Sequence, residues 1–244
     1  MLSDSTNIDV AFIGSSRTIC TIDQTTLSQK WNKRVVNLGH CRYGRNLQFE
    51  YAKILFEKHR PTHLFIEINQ DEDWYGHFDF GNVASTKDLF LSVGTHNPKF
   101  LRDVKRNFIM KFDLFQRSLL NHHYKEDDCV VGFKANPEAT AALTPFENSP
   151  VNTKQQRRQN EHYLEKIIEL CKANNCAFTF IYLPAFGLLD QPPHYESYYS
   201  SQAEIIFPPD SLDQPQYWFD QSHMVETAAE VVTTVVDHYY NSSE

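Results

Sequence analysis

Two short polar segments, far apart in the chain, have the residue types needed for nucleophilic chemistry. Gly14-Ser15-Ser16-Arg17 follows a short apolar run, and Asp220-x-x-His223 stands directly before a helical pattern. A serine hydroxyl becomes a strong nucleophile when a base accepts its proton, and an imidazole held by a carboxylate can be that base. The two segments therefore predict a serine nucleophile at Ser16, a base at His223 and an orienting acid at Asp220.

Each segment also has a purely structural interpretation. A serine between a strand and a helix is often only the N-cap of that helix, and a lone histidine before a helix is usually structural. Two features favour chemistry at Ser16. Gly14 permits a sharp turn, and the following helix places N–H groups and a positive dipole beside any oxyanion that forms. Asp220, three residues before His223, can fix the imidazole tautomer.

Strand-like and helix-like patterns alternate around these segments, which favours a parallel sheet with helices on both faces. Asn46 is predicted to cap the helix between the second and third strands, and Pro61 to end it. The carboxyl ends of parallel strands share one edge of the sheet, so Ser16 and His223 can meet there. The predicted architecture is one α/β domain over residues 1–244, with a three-layer, flavodoxin-like arrangement. Its parallel sheet has about five strands, predicted at Ile8–Ile13, Val35–Leu38, Leu64–Ile68, Ala177–Leu183 and Glu204–Phe207.

Residues 74–150 break this alternation and form a predicted insertion after the third strand. A helix is predicted within it around Phe100–Asn121. The insertion leaves the core at the edge where Ser16 is expected, and insertions at that edge often cover a binding cleft. We expect a cap whose rings stack on a sugar or hold an acyl chain, with simple packing of the rings onto the domain as the alternative. The rings at its start are Trp74, Tyr75, Phe78 and Phe80.

Composition excludes several classes of function. The net charge of −8 argues against nucleic acid as a partner, which requires a basic face. No apolar run reaches the roughly 18 residues of a membrane span. Five cysteines without a CxxC motif are poor evidence for a zinc site or disulfide framework. Asp71-Glu72-Asp73 is expected to be a solvated acidic loop, so no metal and no cofactor is implied.

The start of the chain bears on where the protein works. Met1–Thr6 has neither the basic nor the apolar region of a signal peptide. Taken as complete, the chain is expected to be cytoplasmic. If an N-terminal anchor or signal was removed, it is expected to be extracytoplasmic. The sequence gives no indication of the oligomeric state.

Four segments, in order, resemble the SGNH (GDSL-like) hydrolase superfamily, and each lies at a predicted strand end or helix start. They are Gly14-Ser15-Ser16, Asn37-Leu38-Gly39, Glu67-Ile68-Asn69 and Asp220-x-x-His223. The chain is most similar to the Gly-Ser-Ser-Arg branch, which contains many uncharacterised bacterial SGNH-like proteins and is similar to the D-alanine transfer proteins of teichoic-acid synthesis. The resemblance covers the core from the first strand to the last helix and leaves out the insertion.

The resemblance implies the same triad and adds an oxyanion hole. Its donors are the backbone N–H groups of Ser16 and Gly39 and the side chain of Asn69. Three positions, Ser15, Glu67 and Gln70, depart from the family pattern. Ser15 stands where the family has its usual acid, and Glu67-Ile68-Asn69-Gln70 replaces Gly-x-Asn-Asp.

The implied function is serine-dependent ester hydrolysis or O-acyl transfer on a small acyl ester, with an acylated carbohydrate or envelope polymer as the substrate class. Two other functions stay open. One is a catalytically inactive SGNH-fold protein that binds a glycan or acyl group. The other is a nucleotide-binding protein in which Gly14–Arg17 cradles phosphate. For that function the sequence has neither a Gly-x-Gly-x-x-Gly motif nor a Walker lysine, and Asp220-x-x-His223 would stay unexplained.

Overall fold

The core of the protein is a parallel β-sheet. The computed structural model describes residues 7–41, 44–70, 101, 104–105, 142–146 and 154–243. Within them, five strands form one sheet in the order β2-β1-β3-β4-β5, and every neighbouring pair is parallel. The five predicted parallel strands are therefore confirmed. Their bounds are β1 (Val10–Ile13), β2 (Val35–Asn37), β3 (His63–Ile68), β4 (Ala177–Tyr182) and β5 (Ile205–Ile206).

Helices connect these strands. In the described part of the chain they are α1 (Ser16–Thr21), α2 (Gln24–Trp31), α3 (Arg45–Lys58), α4 (Lys154–Ala173), α5 (Glu196–Gln202) and α6 (Glu226–Ser243). The prediction that Asn46 caps α3 is wrong, because the cap position is Gly44 and Asn46 lies buried in the first turn. The fully buried Arg45 donates to the Glu67 carbonyl at 2.9 Å, so a tertiary contact secures the start of this helix.

The sheet separates two apolar cores, as the three-layer prediction requires. Successive side chains of a strand point to opposite faces. Ala11 and Ile13 of β1 lie in the core that includes α3 and α4. Val10 and Phe12 lie in the core that includes α2 and α6. Phe12 stacks on Phe65 of β3 with ring centroids 4.6 Å apart, which ties the two central strands together.

The strand order reverses beside β1, and this reversal positions the Gly-Ser-Ser turn. The chain passes from β1 outward to β2 and then returns to the other side of β1 as β3. Such a switch point leaves a crevice at the carboxyl ends of the strands. Ile13 is in register with Ile66, so Gly14, directly after β1, lies beside Glu67 of β3.

Most of the predicted insertion lies outside the described residues, including Trp74 and the other rings at its start. The cap, the helix predicted around Phe100–Asn121 and the acidic loop at Asp71 therefore stay predictions. In the described ranges, no helix is both long and apolar enough to cross a membrane.

Candidate active site

Two adjacent serines at the end of β1 have different surroundings. Ser15 is the N-cap of α1, and its hydroxyl oxygen accepts the Arg17 N–H at 3.2 Å. Ser16 is the first residue of the helix, and its Oγ lies 2.8 Å from Nε2 of His223. The structural alternative for Ser16 was that it caps the helix. Ser15 has that role instead.

Asp220 and His223 complete a hydrogen-bonded row with Ser16. Nδ1 of His223 lies 2.9 Å from Oδ1 and 2.8 Å from Oδ2 of Asp220. Oδ1 also accepts the backbone N–H groups of Ser222 at 2.7 Å and of His223 at 2.9 Å. With Nδ1–H donated to the carboxylate, Nε2 can accept a proton from the serine. The structure thus brings the three predicted triad residues together.

A buried tryptophan anchors the loop that carries this pair. Trp218 is fully buried, and its indole N–H donates to the Leu212 carbonyl at 2.8 Å. It forms an antiparallel bridge with Met224 on the far side of the loop. Inside the bridge, the Phe219 N–H donates to the His223 carbonyl at 2.8 Å. The imidazole is therefore carried by a short closed loop, which limits its movement away from Ser16.

The surroundings of Asp220 favour its ionised form. Partial burial raises the pKa of this carboxyl, but the hydrogen bonds from the His223 ring and from the Ser222 and His223 amides outweigh burial, so the pKa lies below its ordinary value. The side chain is 48% exposed, so water also solvates the charge. The carboxylate therefore stays ionised over the pH range in which an imidazole changes its protonation state.

The predicted oxyanion donors lie at the same edge of the sheet. None of the described residues accepts a hydrogen bond from the Ser16 N–H. Gly39 follows β2 and packs against α1, where an added Cβ would stand 2.9 Å from the Ser15 carbonyl oxygen. Its N–H donates to Oδ1 of Asn37 at 2.9 Å. Asn69 directly follows β3 and is buried. The oxyanion role of all three residues stays a prediction.

Arg17, the fourth residue of the Gly-Ser-Ser-Arg motif, joins three strand ends. Its Nη1 donates to Gln70 Oε1 at 3.0 Å, beyond β3, and to the Leu183 carbonyl at 2.9 Å, beyond β4. The same Gln70 oxygen accepts the Ala185 N–H at 3.0 Å. The sequence did not predict that Arg17 and Gln70 connect these strand ends. The available signal was that Gln70 occupies a position where the family has an acid.

Glu67 is a third residue whose role the sequence did not reveal. It is 2% exposed, and its carboxylate accepts hydrogen bonds from Ser15 and Thr18 on either side of Ser16. A single acid in the apolar run Leu64–Ile68 was the available signal, because a carboxylate is seldom buried without partners.

Asn37 holds the other end of α1. Its side-chain amide donates to the carbonyls of Thr18 and Ile22, both at 3.0 Å. Because the same side chain accepts the Gly39 N–H, it links β2, its following loop and the helix that begins at Ser16. Ser16 is therefore carried by a short helix that is held at both ends by hydrogen bonds.

The Gly14→Ala variant is expected to be destabilised by about 1–3 kcal/mol or more, because overpacking a close-fitted site costs that much. An added Cβ would lie 1.9 Å from Thr18 Oγ1 and 2.4 Å from Glu67 Oε2. Urea unfolding followed by circular dichroism measures the effect. Ala11→Gly, the opposite exchange on the preceding strand β1, is measured for comparison. A Gly14→Ala protein as stable as the wild type would contradict the close approach of Glu67.

Residues 142–146, the described end of the predicted insertion, reach the loop that carries His223. The Gln221 side chain donates to the Thr144 carbonyl at 3.1 Å, and the Phe146 N–H donates to the Phe186 carbonyl at 2.8 Å. Phe186 in turn donates its N–H to the Gln221 carbonyl at 3.0 Å. Residues 142–146 therefore run beside the loop that carries His223.

Comparison with known proteins supports the fold. No protein-family model and no curated protein sequence matches this chain. A candidate acylhydrolase of known structure from Bacteroides fragilis superposes with a TM-score of 0.50 and 12% identity, covering 99% of this chain and 93% of that one. A GDSL-like lipase from Bacteroides thetaiotaomicron superposes with a TM-score of 0.47 and 9% identity, covering 97% and 89%.

Together with the strand order, the first of these superpositions confirms the predicted class of fold, a flavodoxin-like α/β fold with a parallel sheet between two layers of helices. At 12% identity the likeness concerns the fold alone. The arrangement of Ser16, His223 and Asp220 is an observation on this chain itself.

Proposed function

We propose that this protein is a serine-dependent ester hydrolase or O-acyltransferase acting on a small acyl ester. One observation carries the proposal, the continuous hydrogen-bonded row from Ser16 Oγ through the His223 ring to the Asp220 carboxylate. A nucleophile, a base within reach of its proton and an acid that orients the base are the elements that acyl transfer requires.

In this proposal Ser16 Oγ attacks the ester carbonyl carbon while its proton moves to Nε2 of His223. The Asp220 carboxylate stabilises the resulting imidazolium. The Ser16 N–H, with the Gly39 N–H and the Asn69 amide, receives the negative charge on the former carbonyl oxygen. His223 then gives the proton to the departing alcohol. Water, or the hydroxyl group of an acceptor, attacks the acyl-enzyme in a second, similar step.

The substrate class follows from the resemblance and from the insertion. A small acyl group on a carbohydrate or an envelope polymer is the substrate that the resemblance implies. The segment at 142–146 supports a cap near the triad, because Thr144 bonds the histidine loop through Gln221. Aromatic rings from such a cap could exclude water from the acyl-enzyme, and this would favour transfer over hydrolysis.

One observation favours the alternative of an inactive binding protein. The Gly39 N–H is already bonded to Asn37, so it reaches an oxyanion only if it shares or breaks that bond. The phosphate-binding alternative has less support. The Ser15 and Thr18 N–H groups, which would cradle a phosphate, donate to the Glu67 carboxylate, whose charge would repel that ligand.

Labelling with a fluorophosphonate probe tests the proposal. The probe reacts with an activated serine, and mass spectrometry of the digested protein is expected to place the label on Ser16. Ser16→Ala should remove the label, whereas Ser201→Ala, at an exposed serine on α5, should keep it. A label on another serine would refute the assigned nucleophile. An unlabelled wild-type protein without esterase activity would favour the inactive binding protein.

The Asn69→Ala variant tests the oxyanion hole. Losing one donor is expected to lower kcat by about 10²–10³-fold, with little change in KM, because the bond strengthens only as charge develops on the oxygen. Steady-state hydrolysis of an aryl acetate measures both constants. Asn174→Ala, which removes an amide that bonds the Leu170 carbonyl near the end of α4, is the control. An unchanged kcat in Asn69→Ala would exclude this residue as a donor.

A further inference from the structure

We propose that Glu67 is a positioning residue for the nucleophile: its buried carboxylate organises the turn that presents Ser16. The inference rests on the proposed function and concerns how this chain maintains the serine in a reactive geometry. Glu67 contacts neither His223 nor Asp220 among the interactions of the described residues, so its effect reaches the chemistry through the turn.

Among the described residues, the donors to this carboxylate come from Ser15 and Thr18, on either side of Ser16. Oε2 accepts the Ser15 N–H at 2.7 Å and the Thr18 N–H at 3.2 Å, and it also accepts the Thr18 hydroxyl. Oε1 accepts the Ser15 hydroxyl at 2.7 Å. Hydrogen bonds to an ionised acceptor are stronger than neutral ones, and burial excludes the water that would compete for these donors. Four bonds to one buried group therefore fix the backbone on both sides of the nucleophile.

These bonds also determine which donors stay available for catalysis. Glu67 takes the N–H groups of Ser15 and Thr18, and the Ser15 hydroxyl, oriented by Glu67, takes that of Arg17. The Ser16 N–H has no acceptor among the described residues. Of the four N–H groups from residue 15 to residue 18, the one that belongs to the nucleophile is thus left for a substrate oxygen.

The local sequence is consistent with a carboxylate supplied from β3. Ser15 Oγ and Glu67 Oε1 are 2.7 Å apart, so a carboxylate at position 15 would lie close to the present one and could accept the Thr18 N–H as an N-cap. Gly14 makes room for the acid, since an added Cβ would meet Glu67 Oε2 at 2.4 Å. Arg45 donates to the Glu67 backbone carbonyl at 2.9 Å, which fixes the main chain of this residue.

Kinetics of the Glu67→Gln variant test the inference. The change keeps the shape of the side chain but removes the charge and places an N–H₂ group among donors. We expect kcat for an aryl acetate to fall about 10- to 100-fold, as for the loss of charged hydrogen bonds, with KM within about threefold of the wild-type value. The acid limb of the pH profile should stay in place, because His223 and Asp220 are unchanged. Glu50→Gln, at a buried acid on α3 that pairs with Lys53, is the matched control and should keep its kcat.

Counting active sites separates positioning from general stabilisation. Rates are divided by the number of sites that a fluorophosphonate titrates, so misfolded protein is not counted. If Glu67 only stabilised the fold, Glu67→Gln would lower the melting temperature and the number of titrated sites but leave kcat per site unchanged. That result would overturn the inference. Wild-type protein that neither reacts with the probe nor hydrolyses esters would overturn the proposed function and the inference with it.

A double variant keeps the test decisive if Glu67→Gln does not fold. In Ser15→Asp/Glu67→Ala the carboxylate moves to the turn, where aspartate is a favourable N-cap and can accept the Thr18 N–H. This protein is expected to fold and to have a kcat per site about tenfold or more above that of Glu67→Ala. A double variant no better than Glu67→Ala in both folding and kcat would contradict a role for the carboxylate in positioning Ser16.

Discussion

Ser16→Ala is expected to lower kcat for an acetyl ester by about 10⁴-fold or more, which is the usual effect of deleting a triad member. The variant removes the atom that forms the acyl-enzyme and leaves the residual effects of binding and of the oxyanion donors. The fold should be kept, because the hydroxyl that caps α1 belongs to Ser15 and not to Ser16. Hydrolysis of p-nitrophenyl acetate measures the rate, and a thermal melt checks the fold.

Ser15→Ala is the matched control for this experiment. It removes the N-cap hydroxyl and one bond to Glu67, so it should cost stability of about 1 kcal/mol and only part of the activity. Wild-type activity in Ser16→Ala together with complete loss in Ser15→Ala would show that Ser15 is the nucleophile.

His223→Ala is expected to have a comparably large effect, about 10⁴-fold or more on kcat, and to change how the rate depends on pH. In the wild type kcat/KM should rise with pH along an acid limb, because only a neutral imidazole can accept the serine proton. Asp220 does not produce this limb, since its pKa is lowered and it is already ionised there. Below the limb, activity is lost because the imidazole is protonated.

The pH profile of the residual activity in His223→Ala checks this assignment, and the limb should be absent. His238→Ala, at an exposed histidine on α6, should keep both the limb and the rate. If the limb persists unchanged in His223→Ala, another group is the base.

The strands could be predicted because they depend on local patterns. Short apolar runs separated by helical stripes indicated each strand, and the alternation of elements indicated the parallel sheet. The same logic placed Ser16 at the end of the first strand, and the distant Asp220-x-x-His223 was recognised by its spacing. The structure brings these three side chains within hydrogen-bonding distance, while their catalytic roles stay predictions.

The roles of Glu67 and Arg17 could not be predicted, because they depend on which strand ends are neighbours. Both side chains reach across the sheet edge to segments about 50 or more positions away in the chain. The error at Asn46 has a similar cause. The residue is of a type that favours N-caps, but the tertiary contacts of the preceding Arg45 draw it into the first turn.

The contact between Ser15 and Glu67 has an evolutionary consequence. With a carboxylate at both positions, two charges would meet where the oxygens are now 2.7 Å apart. With a carboxylate at neither, the Ser15 and Thr18 N–H groups would be buried without an acceptor. A substitution at position 15 or 67 alone, which gives an acid at both positions or at neither, is therefore unfavourable. The two positions are epistatic and change together. In an alignment of relatives we expect an acid at one of the two positions or the other, with the residue at position 14 staying small wherever the acid is on β3.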